Sequence, residues 1–209
     1  MKYSICISGA ASGASVDRSC SEAYIIGQEI AKAGHVTTTG ATVGLPFFGA
    51  RGAVDAGGQS IGFSPASSLR EHVRKYRLPT DVFDYINYTG MAYVGRDVYL
   101  VQSSDAVITI GGRFGSLHEF TTALEARKPC GILLGSGGTA DLVPELLEKL
   151  DEPSGTRVVF DNDPVELVRK VIALCDEEYK DVSDEELRKH DEAFQSLVCG
   201  AQQTTKRSG

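Results

Sequence analysis

No apolar run in the 209 residues approaches the ~20 needed to span a membrane, and Met1-Lys2 leads into a strand-like segment rather than a signal peptide. A cytoplasmic protein with no membrane partner is expected. Positive charge is also scarce: 21 Lys and Arg against 28 Asp and Glu leave a net charge of −7. That balance argues against broad binding to nucleic acid, though a local patch for one small anion remains open. The five cysteines (Cys6, Cys20, Cys130, Cys175, Cys199) show neither CxxC nor Cys/His metal spacing, and several fall at apolar-periodic positions, so they read as core thiols and no metal site is expected. There is no internal repeat. The dinucleotide fingerprint G-x-G-x-x-G is missing in proper form, as is the Gly-Lys-Ser/Thr of a Walker loop, so NAD binding and ATP hydrolysis are not favoured.

What remains is the composition of a globular protein, 42% hydrophobic and 23% charged, long enough for one α/β domain over residues 1–180. Strands are expected over 2–8, 36–39, 60–63, 83–88, 106–110, 130–134 and 158–160, and helices over 19–33, 43–56, 96–104, 117–126, 142–150 and 164–175. Their alternation predicts a Rossmann-like, doubly wound, mostly parallel sheet flanked by helices. Residues 67–80 are the least regular part. An amphipathic C-terminal helix over 181–201, covering this domain or a partner, and a disordered tail over 202–209 complete the expected organisation.

Three small-residue loops follow strands: 9–13, 40–44 and 111–116. In a parallel sheet such loops meet beyond the carboxyl ends of the strands, where helix N-termini offer free N–H groups to an anion. Gly9, Ala10, Gly40, Thr42, Gly111, Gly112, Arg113, Gly115 and Ser116 are therefore candidates for binding a phosphate ester. The loop 135–139 reads as a plain turn, the basic stretch 70–77 as a solvated face, and His118 as an exposed first-turn residue.

Thr89-Gly90-Met91 through Arg96, Ser104-Asp105-Ala106-Val107-Ile108 and Gly111-Gly112-Arg113-Phe114-Gly115-Ser116-Leu117-His118-Glu119-Phe120 together resemble the LOG family, once mislabelled as lysine decarboxylases, whose hallmark is PGGxGTxxE. The first strand and its loop, Thr39-Gly40-Ala41-Thr42-Val43-Gly44-Leu45 and Gly57-Gly58-Gln59-Ser60-Ile61-Gly62 are similar too, so the resemblance runs over residues 2–147. It implies a nucleotide-binding fold, usually a homodimer, with hydrolysis of the N-glycosidic bond of nucleoside 5′-monophosphates in some members and carriage of molybdenum cofactor in others. By position, Arg96 and Glu119 match the catalytic pair, and Gly112, Gly115 and Ser116 the phosphate-cradling turn. No bound cofactor is implied, and no lysine stands in the motif to hold pyridoxal phosphate. Gly111 replaces the motif's proline, Ser116 its threonine and Arg113 a glycine, and Asp97 replaces the lysine that usually follows the arginine.

Two readings of Glu119 compete. A carboxylate stabilises the oxocarbenium charge that builds at C1′ during glycosidic cleavage and orients water. Yet Ser116-x-x-Glu119 also has capping-box spacing, as do Ser19-x-x-Glu22 and Ser183-x-x-Glu186, with Asp163-Pro164-x-Glu166 as a variant. The functional expectations are accordingly a phosphoribohydrolase, a carrier or sensor of a nucleotide or phosphorylated pterin, and, least favoured, a purely structural module.

Overall fold

The β-branched and apolar run Ala106–Ile110 forms β5, every residue of which is buried, as befits a strand covered on both faces. It lies one place from the middle of the seven-stranded sheet in the computed structural model, which describes residues 1–150 and 157–181. Around it lie β1 (Ser4–Gly9), β2 (Val36–Thr39), β3 (Gln59–Ser64), β4 (Tyr85–Tyr88), β6 (Cys130–Leu133) and β7 (Val158–Asp161). All pairings are parallel, and the strand order is β4-β3-β2-β1-β5-β6-β7. The winding reverses between β1 and β5, which pair from Ile5 with Ala106 to Gly9 with Ile110. This is the doubly wound α/β sheet expected, with its switch point at that pair, where the carboxyl ends leave a crevice.

Helices α1 (Ala14–Lys32), α2 (Leu45–Asp55), α3 (Leu69–Arg74), α4 (Ala92–Gln102), α5 (Phe114–Glu125), α6 (Gly138–Lys149) and α7 (Pro164–Glu178) follow the strands in turn. Phe120, Leu100, Ile132 and Val107 are among the side chains that fill the core beneath α4, α5 and α6. Cys6, Cys130 and Cys175 are buried thiols, and Cys20 is half-buried. By its contacts, Lys2–Cys175 forms one compact unit, and the described residues 176–181 belong to another. No described helix is long and apolar enough to cross a membrane.

Helix starts depart most from expectation. α1 begins at Ala14, so Ser19 lies inside it, at a kink with φ −126° and ψ 19°, instead of capping its start. α4 begins four residues before the expected 96, which places Arg96 and Asp97 mid-helix. Asp163 does cap α7, its carboxylate accepting from the N–H groups of Val165 (2.8 Å) and Glu166 (3.1 Å). A box of this kind also stands where none was expected: Ser68 Oγ accepts from Glu71 N at 3.2 Å while the Glu71 carboxylate takes both the N–H and hydroxyl of Ser67, giving the irregular stretch its short α3. The Ser183–Glu186 box, the 181–201 helix beyond its first residue, the 202–209 tail and Cys199 lie outside the described residues.

Candidate active site

β1, β2 and β5 end side by side, and the loops that leave them converge on a cavity of about 230 Å³. Gly9 and Ala10 line it from the first loop, and Gly40 and Thr42 from the second. Arg113, Gly115 and Ser116 come from the third, while Arg96 and Glu119 reach in from α4 and α5. Two expected members, Gly111 and Gly112, do not line it. They hold the third loop to α6 instead: Gly111 N donates to Ser136 Oγ (2.7 Å), and the carbonyls of Gly111 and Gly112 accept from Ala140 N and Thr139 N, both at 3.1 Å. Gly112 has φ +98°, and a Cβ there would lie 2.3 Å from Ser116 Oγ, so this turn needs glycine.

Glu119 does not cap its helix. α5 starts at Phe114 with Arg113 in the cap position and no side-chain cap, which leaves Ser116 inside the first turn. The Glu119 side chain turns toward the sheet, where Oε2 accepts a short hydrogen bond from Ser8 Oγ of β1. Its other oxygen lies 3.8 Å from Arg96 Nη1, and the residue is 7% exposed. Burial pushes its carboxyl up to about 7, with Asp97 adding to the rise and the Arg96 guanidinium and Ser8 hydroxyl opposing it.

Arg96 is itself buried, its Nε 3.2 Å from Asp97 Oδ1 and its guanidinium 5.9 Å from the Tyr93 ring centre. Its Nη1 sits against Gly40: a Cβ built there would fall 1.4 Å from that nitrogen. The second loop can carry only hydrogen at that position if the arginine is to keep its seat.

Asp97 and Tyr93 line the cavity without having been singled out as site residues. Asp97 was visible only as an exchange of acid for the usual lysine; its burial beside Glu119 was not. It also holds His118, whose Nδ1 is 3.1 Å from Asp97 Oδ2. His118 is thus half-exposed and bonded, not a free surface residue. Arg70, Arg74, Lys75 and Arg77 face solvent as expected and do not line the cavity. Within that stretch, however, His72 is wholly buried, bonded to Ser64 Oγ (2.8 Å) and the Pro79 carbonyl (2.9 Å). Of the loop 135–139, residues 135–137 are a turn tied down by Asp141, whose carboxylate accepts from Gly135 N and Gly137 N at 2.7 and 3.0 Å, while Gly138 and Thr139 already open α6.

Arg113 stands apart from this buried cluster. It is exposed at the rim, reaches Ser12 Oγ at 3.4 Å, and shares the cavity wall with the N-terminus of α5. A cationic, N–H-rich rim over an acid-lined floor suits a ligand with an anionic tail and a hydroxyl-bearing or basic body.

Known proteins agree with this architecture. The X-ray structure of TM1055 superposes with a TM-score of 0.73 at 23% identity, covering 83% of this chain and 99% of that one. A molybdenum cofactor binding protein from the phototrophic bacterium Rippkaea orientalis matches with a TM-score of 0.64 at 28% identity, over 82% of this chain and 98% of its own. An uncharacterized protein of Archaeoglobus fulgidus is 36% identical over 106 residues, which span 51% of this chain and 64% of that relative. The SLOG cluster4 family model matches residues 2–168, in keeping with the LOG resemblance of the motifs and with a nucleotide-binding protein of LOG type; the chain belongs to the SLOG cluster4 family.

Proposed function

We propose that the protein is a phosphoribohydrolase that cleaves the N-glycosidic bond of nucleoside 5′-monophosphates to free base and ribose 5-phosphate. The observation that carries this reading is Glu119, a buried carboxyl on the floor of the cavity, freed from any capping role and raised to about 7. Such a group is ionised in part at neutral pH, so it can take a proton from water and still hold negative charge against the oxocarbenium that develops at C1′. The 5′-phosphate is assigned to the rim, with Arg113 and the first N–H groups of α5, Gly115 and Ser116 among them. Arg96, pinned by two acids, orients the floor rather than gripping the phosphate.

Incubating the purified protein with AMP, CMP, GMP and IMP and separating the products by chromatography tests this. Release of free base, lost in Glu119→Ala, is the expected result; intact nucleotides throughout would sink it.

A second reading, carriage of a phosphorylated pterin such as molybdenum cofactor, draws support from Arg113 in a glycine position and from the Rippkaea protein. It predicts tight binding of that cargo without turnover. The proposal includes a homodimer, because α4 exposes Val94, Val98 and Tyr99 while both of its charged residues are buried. Light scattering at the mass of one chain would count against it.

A further inference from the structure

The side chain of Glu119 ends in a torsion with no sharp staggered preference, so its two oxygens point where hydrogen bonds hold them. The hold comes from the sheet. Ser8 lies on the same face of β1 as Cys6, which belongs to the same core cluster as Phe120, the residue after Glu119 on α5. That face brings the Ser8 hydroxyl to Glu119 Oε2. Ser8 is 1% exposed, does not line the cavity, and makes no other side-chain hydrogen bond among the described residues. A carboxylate only accepts, so the serine donates, and the bond ties Oε2 to a strand paired on both sides, with β2 and β5. Oε1 is the oxygen that Ser8 does not engage, 3.8 Å from Arg96 Nη1. The charged and titratable groups about Glu119 are Arg96 and Asp97 from α4 and the Cys6 thiol from β1, with Arg113 farther out on the same cavity.

We propose that Ser8 is a positioning residue for Glu119: its hydroxyl pins Oε2 to the sheet and turns Oε1 to the cavity as the oxygen that takes a proton from water. This rests on the hydrolase reading above. In that reaction the water oxygen bonds to C1′ while the C1′–N bond breaks, its electron pair leaving with the base, which takes a proton from solvent. The proton lost by water goes to Oε1 and returns to solvent when the products leave. The sum is one nucleotide and one water giving free base and ribose 5-phosphate.

The bond is tested without turnover, by NMR titration of labelled carboxyl carbons in the ligand-free full chain. The hydroxyl favours the charged carboxylate, so Ser8→Ala should raise the Glu119 midpoint from about 7 by about one unit. An unmoved midpoint overturns the bond. Should the alanine variant not fold, Ser8→Cys, close in volume and only a weak donor, is read in the same way.

Positioning is read from base release across pH. In Ser8→Ala the acid limb of kcat should follow the raised midpoint. Above it kcat should stay about tenfold below wild type with KM within about twofold, because a carboxylate that is charged but turned away is a poor base. Full recovery of kcat above the midpoint, or a loss carried by KM alone, overturns the positioning while leaving the hydrolase standing. A wild type that releases no base sinks the hydrolase and the role of Oε1 in it, and the titration then decides by itself whether Ser8 holds Glu119.

Discussion

Replacing Gly40 with alanine tests the way the cavity floor is built. The new methyl carbon would lie 1.4 Å from Arg96 Nη1 and 2.5 Å from its Cζ, so the guanidinium must move. An exposed arginine would swing aside at little cost. Arg96 is instead held between Asp97 and Glu119 and covered by Tyr93, and every displacement takes its charge away from two buried carboxyl groups. Removing one partner from a buried ion pair costs about 3–5 kcal/mol, and protonation of the acids relieves part of that, so a loss of about 3 kcal/mol at neutral pH is expected. For a domain of this size that corresponds to a melting temperature lower by ~6–12 °C. The deficit should shrink in acid, where the carboxyl groups are neutral without the arginine. Thermal melts at neutral and acidic pH measure both effects. A Gly40→Ala protein that melts within ~2 °C of wild type at neutral pH would refute the reasoning, because it would mean that the guanidinium has a second seat of equal energy.

Gly115→Ala is the contrast: its Cβ meets nothing within 4 Å, so the melting temperature should stay put while the methyl narrows the cavity and weakens nucleotide binding, read by calorimetry. Arg113→Ala should lower affinity for phosphate-bearing ligands about tenfold, less so in high salt, with no change in stability; equal affinity removes Arg113 from the anion site. Glu119→Gln isolates a pH effect. The folded carboxyl lies above its ordinary 4.5, at about 7, so the folded chain holds a proton that the unfolded chain releases between those values. Wild-type stability should therefore fall through that window by about 3 kcal/mol relative to the variant, and parallel urea-melt profiles would contradict it. Asp163→Ala should cost about 1 kcal/mol by uncapping α7, with the candidate site unaffected.

Helix starts carry the weakest signal in this sequence. The start of α5 was expected at 117, yet the helix begins at Phe114, and that shift moves Ser116 from a cap into the first turn. Spacing could not reveal this, because Ser-x-x-Glu satisfies a capping box and a catalytic turn equally well. The real box at Ser68–Glu71 has the same spacing, but the polar stretch around it has too little periodicity to announce a helix. α4 was expected to begin at 96, but Ala92 takes a positive φ of 53° at its first position, a conformation that alanine composition does not announce.

By itself the sequence determined the alternation of β-branched runs with amphipathic segments, and hence the parallel sheet, since each pattern has one period that buries its apolar side. It also determined that the loops after β1, β2 and β5 are glycine-rich, and it put Arg96 and Glu119 at positions that resemble the catalytic pair of the LOG family. Tertiary structure decided what those residues do. Arg96 and Glu119 are 23 positions apart and Ser8 is 111 from Glu119, so neither the ion pair nor the hydroxyl contact has a local signature. The raised carboxyl of Glu119, the locked guanidinium over Gly40 and the bond from Asp97 to His118 all arise from burial, a property of the packed chain and not of any segment within it.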